Sequence, residues 1–270
     1  MDRIYVVTGA ASGIGAATAR YLRERGGRVI SCDLHDADVV ADLTTSEGRG
    51  ALVEGVTRLS GGGIDAIVAN AGGGPPQTSI QLNFFGAVAT LEGLRPLLGL
   101  SPAPRAVVVS SIASLTPTHP ELVEACLSLD EPRAIGAATK LATQVAPLEQ
   151  ITPEQAVQVG LALYSNAKFA LNCWCRKAAS KPEWAGAGIT LNVVGPGLID
   201  TPAAAYLLSD PARSAAMKTM VPLRGGYPGR PEQMAAVLGW CVSPENSLMT
   251  GQVLFVDGGY ECSTRPEKSW

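Results

Sequence analysis

Tyr164 and Lys168 stand four residues apart in Tyr164-Ser165-Asn166-Ala167-Lys168. If the stretch is helical, both side chains lie on one face, one turn apart, and an ammonium sits beside a phenol. A free phenol titrates near ~10, so making it a base near neutrality requires roughly 4 kcal/mol in favour of the phenolate. A lysine cation in a water-poor site acts in that direction. The spacing alone is common by chance, and a surface Tyr–Lys pair is the plain alternative. A second feature weighs against that alternative. Ser110-Ser111 follow directly on the apolar run Ala106–Val109. A serine at the carboxyl end of a buried strand opens onto the ligand crevice of an α/β sheet, where its hydroxyl can hold a reacting oxygen.

A third group concerns phosphates. Thr8-Gly9-Ala10-Ala11-Ser12-Gly13-Ile14-Gly15 follows the apolar run Ile4–Val7 and precedes a helical pattern. Glycines there permit a tight turn and close approach of backbone to a pyrophosphate, and the helix starting near Gly13 aims unpaired N–H groups at it. Gly9, Ser12, Gly13 and Ile14 are the candidate contacts. Asp33 ends the next apolar run. A carboxylate at that strand end accepts both hydroxyls of an adenosine ribose and repels a 2′-phosphate. Neither Ser12 nor Leu34 is the arginine a phosphate would want. NAD rather than NADP is therefore the expected cofactor.

These residues need a scaffold. Short apolar runs at Ile4–Val7, Arg28–Cys32, Ile64–Val68, Ala106–Val109, Ile189–Val193 and Gln252–Val256 read as strands buried on both faces. Helical segments alternate with them, the first over Ile14–Arg25 and ended by Gly26-Gly27. That rhythm implies right-handed crossovers and a Rossmann-type, doubly wound parallel sheet covered on both faces, as one domain over 1–270. One stretch breaks the rhythm. Pro120–Asp130, Glu131–Ala146 and Pro153 onward look helical, punctuated by Pro117, Pro120, Pro132, Pro147 and Pro153, so a helical insertion is expected over 115–160 beside the catalytic tyrosine.

The loop spacing resembles TGxxxGxG of the short-chain dehydrogenase/reductase family, through Thr8, Gly9, Gly13 and Gly15. The resemblance extends along most of the chain. Asn70-Ala71-Gly72 is similar to the family's NAG beside the adenine ribose. Asp42-Leu43 resembles the acidic–apolar pair that meets the adenine. Pro196-Gly197, with Ile199 and Thr201, resembles the segment that holds the nicotinamide carboxamide. Asn83-Phe84-Phe85-Gly86 resembles the helix asparagine that supports a water-mediated proton relay. The resemblance thus implies a tetrad of Asn83, Ser111, Tyr164 and Lys168, with Ser110 the close competitor of Ser111. It implies that Tyr164 exchanges a proton with the substrate oxygen, that Ser111 positions that oxygen, and that Lys168 both holds the nicotinamide ribose and lowers the tyrosine pKa.

Within the family, Gly13 to Arg49, Asn83–Ala87 and Val107–Ser114 are similar to the bacterial 3α-hydroxysteroid dehydrogenase/carbonyl reductase group, which also carries an enlarged insertion between serine and tyrosine. Here that gap spans about fifty residues. The resemblance implies a secondary alcohol/ketone pair as substrate, with a 3α-hydroxysteroid, a 3-ketosteroid or a xenobiotic carbonyl as candidates. The alternative is a small non-steroid carbonyl, diol or hydroxyacyl compound. A dinucleotide-sensing regulator is a more distant alternative, since such relatives typically lack the tyrosine or lysine. Leu198–Pro222 is expected to cover the substrate, with Leu198, Tyr206, Leu207, Leu208 and Met217 as apolar lining. A homodimer through Pro231–Val242 and the last strand is the expected assembly, with a tetramer as the alternative.

Composition fits this reading. The chain has 270 residues, 46% hydrophobic and 17% charged, with a formal net charge of −3. No cationic field draws it to nucleic acid or anionic lipid, and no apolar stretch is long enough for a spanning helix. Cys32, Cys126, Cys173, Cys175, Cys241 and Cys262 are scattered, unlike a disulfide framework, which suits the cytoplasm. His35 and His119 lack ligand spacing, and no metal is expected.

Overall fold

The computed structural model describes residues 3–146 and 151–267; Pro147 lies outside them. Seven parallel strands form one sheet in the order β3-β2-β1-β4-β5-β6-β7: β1 (Ile4–Thr8), β2 (Arg28–Asp33), β3 (Val39–Val40), β4 (Ala66–Ala69), β5 (Arg105–Val109), β6 (Thr190–Pro196) and β7 (Val253–Val256). The ten helices among the described residues are α1 (Gly13–Arg23), α2 (Ser46–Ser60), α3 (Ala87–Leu94), α4 (Pro120–Leu127), α5 (Glu131–Val145), α6 (Pro153–Ala179), α7 (Ala205–Ser209), α8 (Pro211–Thr219), α9 (Pro231–Cys241) and α10 (Tyr260–Thr264). None is long and apolar enough to cross a membrane.

Alternation along the strands feeds two cores, because successive side chains leave a strand on opposite faces. Val7, Val68, Val107 and Val194 meet α1 and α9 through Ala19, Leu22, Met234 and Leu238. Val6, Ile67, Val108 and Val193 face the layer of α2, α3 and α6. The insertion adds to this second layer, with α4 and α5 packed on α6 and on each other. Strand order reverses between β1 and β4, and the crevice outside the carboxyl ends of an open parallel sheet opens at such a point.

Several boundaries differ from the sequence expectation. β4 begins at Ala66, because the Ile64 N–H turns aside to the Leu97 carbonyl at 2.9 Å. Helix α1 stops at Arg23, where the Gly27 N–H returns to the Leu22 carbonyl at 3.0 Å and Gly26 takes φ +80°. β3 was not anticipated. It is a two-residue edge, steered alongside β2 by Asp38, whose carboxylate accepts from both the main chain and hydroxyl of Ser31 at 2.8 and 2.7 Å.

Candidate active site

A cleft of about 840 Å³ runs along the carboxyl ends of the strands. Its wall includes Gly9, Ser12, Gly13, Ile14, Asp33, Asp42, Leu43, Asn70, Ala71, Gly72, Ser111, Tyr164, Lys168, Pro196, Gly197, Ile199 and Thr201. Residues far apart in sequence are thus gathered on one surface. Asn83 alone of the expected site residues stands behind that wall, fully buried.

The glycine turn is built by close approach. A Cβ on Gly9 would lie 2.7 Å from Asn70 Nδ2 and 2.9 Å from Ala71 Cα, and one on Gly15 would overlap the Gly9 carbonyl. Gly9 and Gly13 take φ +68° and +53°, which side chains disfavour. Asn70 Nδ2 donates to the Thr8 and Gly9 carbonyls at 3.0 and 3.3 Å, while the Thr8 hydroxyl accepts from the Asn70 and Ala71 amides. The Ser12 side chain makes no cap bond to α1, so the first-turn amides remain free at the cleft. Thr201 lies across from Gly13, its methyl 3.1 Å from where a Cβ would be.

Asp33 is held by two amides. Its Oδ2 accepts from Ala11 at 2.8 Å and its Oδ1 from Leu34 at 2.7 Å. Each oxygen keeps a further acceptor direction for a ligand. Asp42 differs, because its carboxylate turns to the Thr44 amide and hydroxyl at 2.9 and 2.7 Å. Leu43 supplies the apolar wall beside it. A Cβ on Gly86 would approach the Leu43 carbonyl to 3.0 Å, so the glycine of the Asn83–Gly86 motif allows that wall to close.

The free N–H groups at the start of α1, glycines that leave no room for side chains, and a ribose-sized acceptor at Asp33 together suit a dinucleotide. Among the described residues no cluster could hold a metal ion.

Tyr164 and Lys168 share one face of α6, with the Lys168 Nζ 5.6 Å from the tyrosine ring centroid. Lys168 is almost wholly enclosed, and its Nζ donates to the Val109 carbonyl at 2.9 Å. A Cβ on Gly72 would stand 3.1 Å from this Nζ and 2.9 Å from Asn83 Oδ1, so Gly72 leaves the space both groups occupy. Burial pushes the Lys168 pKa down to about 8. The Ser111 side chain acts on the Tyr164 phenol from the same wall of the cleft. In the chain by itself burial drives the phenol up, and the Ser111 side chain only partly opposes it. The Lys168 Nζ, 5.6 Å from the ring centroid, is turned to the Val109 carbonyl.

The two serines separate. Ser110 is buried, with its hydroxyl 3.4 Å from the Lys168 carbonyl. Ser111 faces the cleft as the cap of the short turn Ile112–Leu115, its Oγ accepting from Ala113 at 3.1 Å. Asn83 lies in a π-helical turn, Gln81–Gly86, before α3. Its Oδ1 accepts from Gly73 at 2.8 Å, and its Nδ2 donates to the Gly73 and Ser79 carbonyls, both at 2.9 Å. The asparagine side chain is therefore a clamp on the Gly72-Gly73 segment.

Other contributors carry no motif of their own. Asn172 Nδ2 donates to Ser114 Oγ at 3.0 Å, and Ser114 in turn donates to the Ser111 carbonyl at 2.7 Å. Asn166, inside the Tyr164–Lys168 motif, accepts from His119 N at 2.6 Å and so ties the start of α4 to α6. At the open end, Ala156, Val157, Leu161, Leu198, Tyr206, Leu207, Met217 and Tyr260 line the cleft, while Leu208 does not. Tyr260 was invisible to motif reasoning because it follows the last strand.

With this geometry in view, the chain belongs to the short-chain dehydrogenase/reductase family. Residues 3–121 match the short chain dehydrogenase family, and 146–261 match the family described as enoyl-(acyl carrier protein) reductase. The chain is 34% identical over 269 residues to the 3-alpha-hydroxysteroid dehydrogenase/carbonyl reductase of Comamonas testosteroni, covering 97% of this chain and 98% of that protein. It is 30% identical over 287 residues to the cis-4-hydroxycyclohexanecarboxylate dehydrogenase of Sinomonas cyclohexanicum, covering 96% of each. The 3-alpha-hydroxysteroid dehydrogenase of Pseudomonas sp. B-0831, solved as a complex with NADH, matches at 34% identity with a TM-score of 0.82, over 98% of this chain and 100% of that one.

Proposed function

We propose that the protein is an NAD-dependent oxidoreductase that interconverts a secondary alcohol and a ketone, with a 3α-hydroxysteroid/3-ketosteroid pair or a xenobiotic carbonyl as substrate. The observation that carries this reading is the convergence of Ser111, Tyr164 and Lys168 in one cleft with the Asp33-anchored glycine turn.

Gly9, Ser12, Gly13 and Ile14 hold the pyrophosphate, Asp33 the adenosine ribose, and Leu43 with Asn70–Gly72 the adenine side. Pro196, Gly197, Ile199 and Thr201 hold the nicotinamide end. NAD supplies the hydride acceptor, and its reduced form the hydride donor. Tyr164 Oη takes the alcohol proton in oxidation and returns it in reduction. The Ser111 hydroxyl positions the substrate oxygen and polarises it. Lys168, charged below about pH 8, binds the nicotinamide ribose and, with the oxidised nicotinamide, draws the half-buried phenol toward ionisation once the cleft is filled. Asn83 keeps the Gly72-Gly73 segment clear of the lysine.

The apolar mouth formed by Val157, Leu161, Leu198, Leu207 and Met217 suits a flat apolar ligand. The likeness to a cis-4-hydroxycyclohexanecarboxylate dehydrogenase favours a second reading, a small cyclic alcohol. A panel of 3-ketosteroid, quinone and cyclohexanone substrates with NADH and NADPH side by side tests both. Turnover of the steroid with NADH supports the first reading, turnover of cyclohexanone alone supports the second, and no turnover with tight NADH binding removes both. A homodimer is proposed through α9 and the outer edge of β7, with Trp240 of α9 and Leu248 of the segment between the two exposed. A tetrameric mass by light scattering would overturn it.

A further inference from the structure

Arg49 lies in the first turn of α2, where a cation opposes the helix dipole. Its placement is explained by tertiary contacts. The guanidinium is mostly buried and every arm of it is engaged. Nε donates to the Leu43 carbonyl at 2.9 Å. Nη2 reaches the Thr44 and Gln81 carbonyls at 3.4 and 3.2 Å. Nη1 and Nη2 form a two-pronged pair with Glu131 at 2.6 and 2.9 Å. Such forked pairing fixes both partners in orientation as well as distance.

Glu131 is the first residue of α5, the second helix of the insertion. Its carboxylate is favourably placed at a helix start, with Asp130 capping that helix by accepting from Arg133 at 3.0 Å. The ion pair therefore joins the insertion to the main chain of Leu43-Thr44. Leu43 is buried, both it and Thr44 line the cleft, and Gln81 begins the turn that contains Asn83.

We infer that Glu131, acting through Arg49, is a positioning residue for the adenine end of the cofactor cleft, so that the insertion governs dinucleotide affinity as well as the substrate end. Removing the carboxylate frees the guanidinium to turn toward water, and the Leu43-Thr44 segment loses its anchor. This rests on the reading that places a dinucleotide with its adenine against Leu43. The nicotinamide end is not touched by the pair.

The test is calorimetric titration of the full chain with three probes: NADH, ADP and reduced nicotinamide mononucleotide. In Glu131→Gln, NADH and ADP should bind about fivefold more weakly, the lower end of usual coupling between sites, while the mononucleotide binds as in the parent. Equal weakening of all three, or of none, overturns the inference. Should Glu131→Gln fail to fold, Arg49→Lys serves instead, because it keeps the charge but cannot hold Glu131 and both carbonyls together. Loss confined to the adenosine-bearing probes again supports the inference, and a uniform loss or none overturns it. If the parent chain itself does not bind NADH, the dinucleotide reading fails along with the inference. If it binds NADH and Glu131→Gln binds it equally well, only the inference fails.

Discussion

The Lys168 ammonium donates to the Val109 carbonyl at 2.9 Å, so the last residue of β5 holds the lysine that stands one turn below Tyr164. The bond offsets only part of the lost hydration, and burial lowers the Lys168 pKa from 10.5 to about 8. The folded state therefore binds this proton more weakly than the unfolded chain. Its destabilising contribution is complete below about pH 8 and fades as pH rises from there toward 10.5. Across that window the parent should gain about 3 kcal/mol relative to Lys168→Met. Urea unfolding of both proteins at intervals from pH 7 to 10.5 checks this, and parallel profiles would contradict it.

Tyr164→Phe should retain NADH binding and lose about a thousandfold or more in turnover, since in the proposed reading its hydroxyl carries the proton. Cofactor titration and steady-state rates, measured on one preparation, separate binding from chemistry. Near-parental turnover would remove Tyr164 from its role.

Asp33→Ser should narrow the preference for NADH over NADPH by about thirtyfold in kcat/KM, because the repulsion of a 2′-phosphate, about 2 kcal/mol, is removed. The ratio of the two kcat/KM values is the readout. A preference unchanged by the substitution would show that other groups select the cofactor.

Asn83→Ala leaves the Gly73 amide and the Gly73 and Ser79 carbonyls without this buried partner. A loss of about 3 kcal/mol in stability is expected, together with a lower kcat. Denaturant unfolding gives the first quantity and saturation kinetics the second. Full stability would show that water replaces the clamp.

Much of this architecture was readable from residue order. The glycine turn announced itself because only glycine tolerates the approach of Asn70 to Gly9, and the spacing of Tyr164 and Lys168 matched one helical turn. The insertion helices were readable from prolines, which start α4, α5 and α6 within their first two positions. Other features had no local trace. A two-residue strand is too short for any periodicity, so Val39–Val40 escaped notice. The π-helical turn at Asn83 depends on packing against Leu43 and Gly73 rather than on composition. The pairing of Arg49 with Glu131 and of Asn172 with Ser114 joins residues 82 and 58 positions apart, distances over which sequence spacing says nothing. The direction of the tyrosine pKa in the chain by itself is equally unreadable from spacing: it is set by what surrounds the phenol, and the lysine that spacing brings near is turned to a carbonyl.

The Asp33 carboxylate also has a consequence for redesign. One of its oxygens holds the glycine turn through the Ala11 amide, so in the proposed reading cofactor selection and loop geometry rest on the same side chain. An engineer who exchanges it to admit a phosphorylated ribose disturbs the glycine turn at the same stroke. A successful conversion needs a companion substitution that gives the Ala11 N–H a new acceptor, and libraries varying position 33 alone should yield relaxed enzymes more readily than efficient ones.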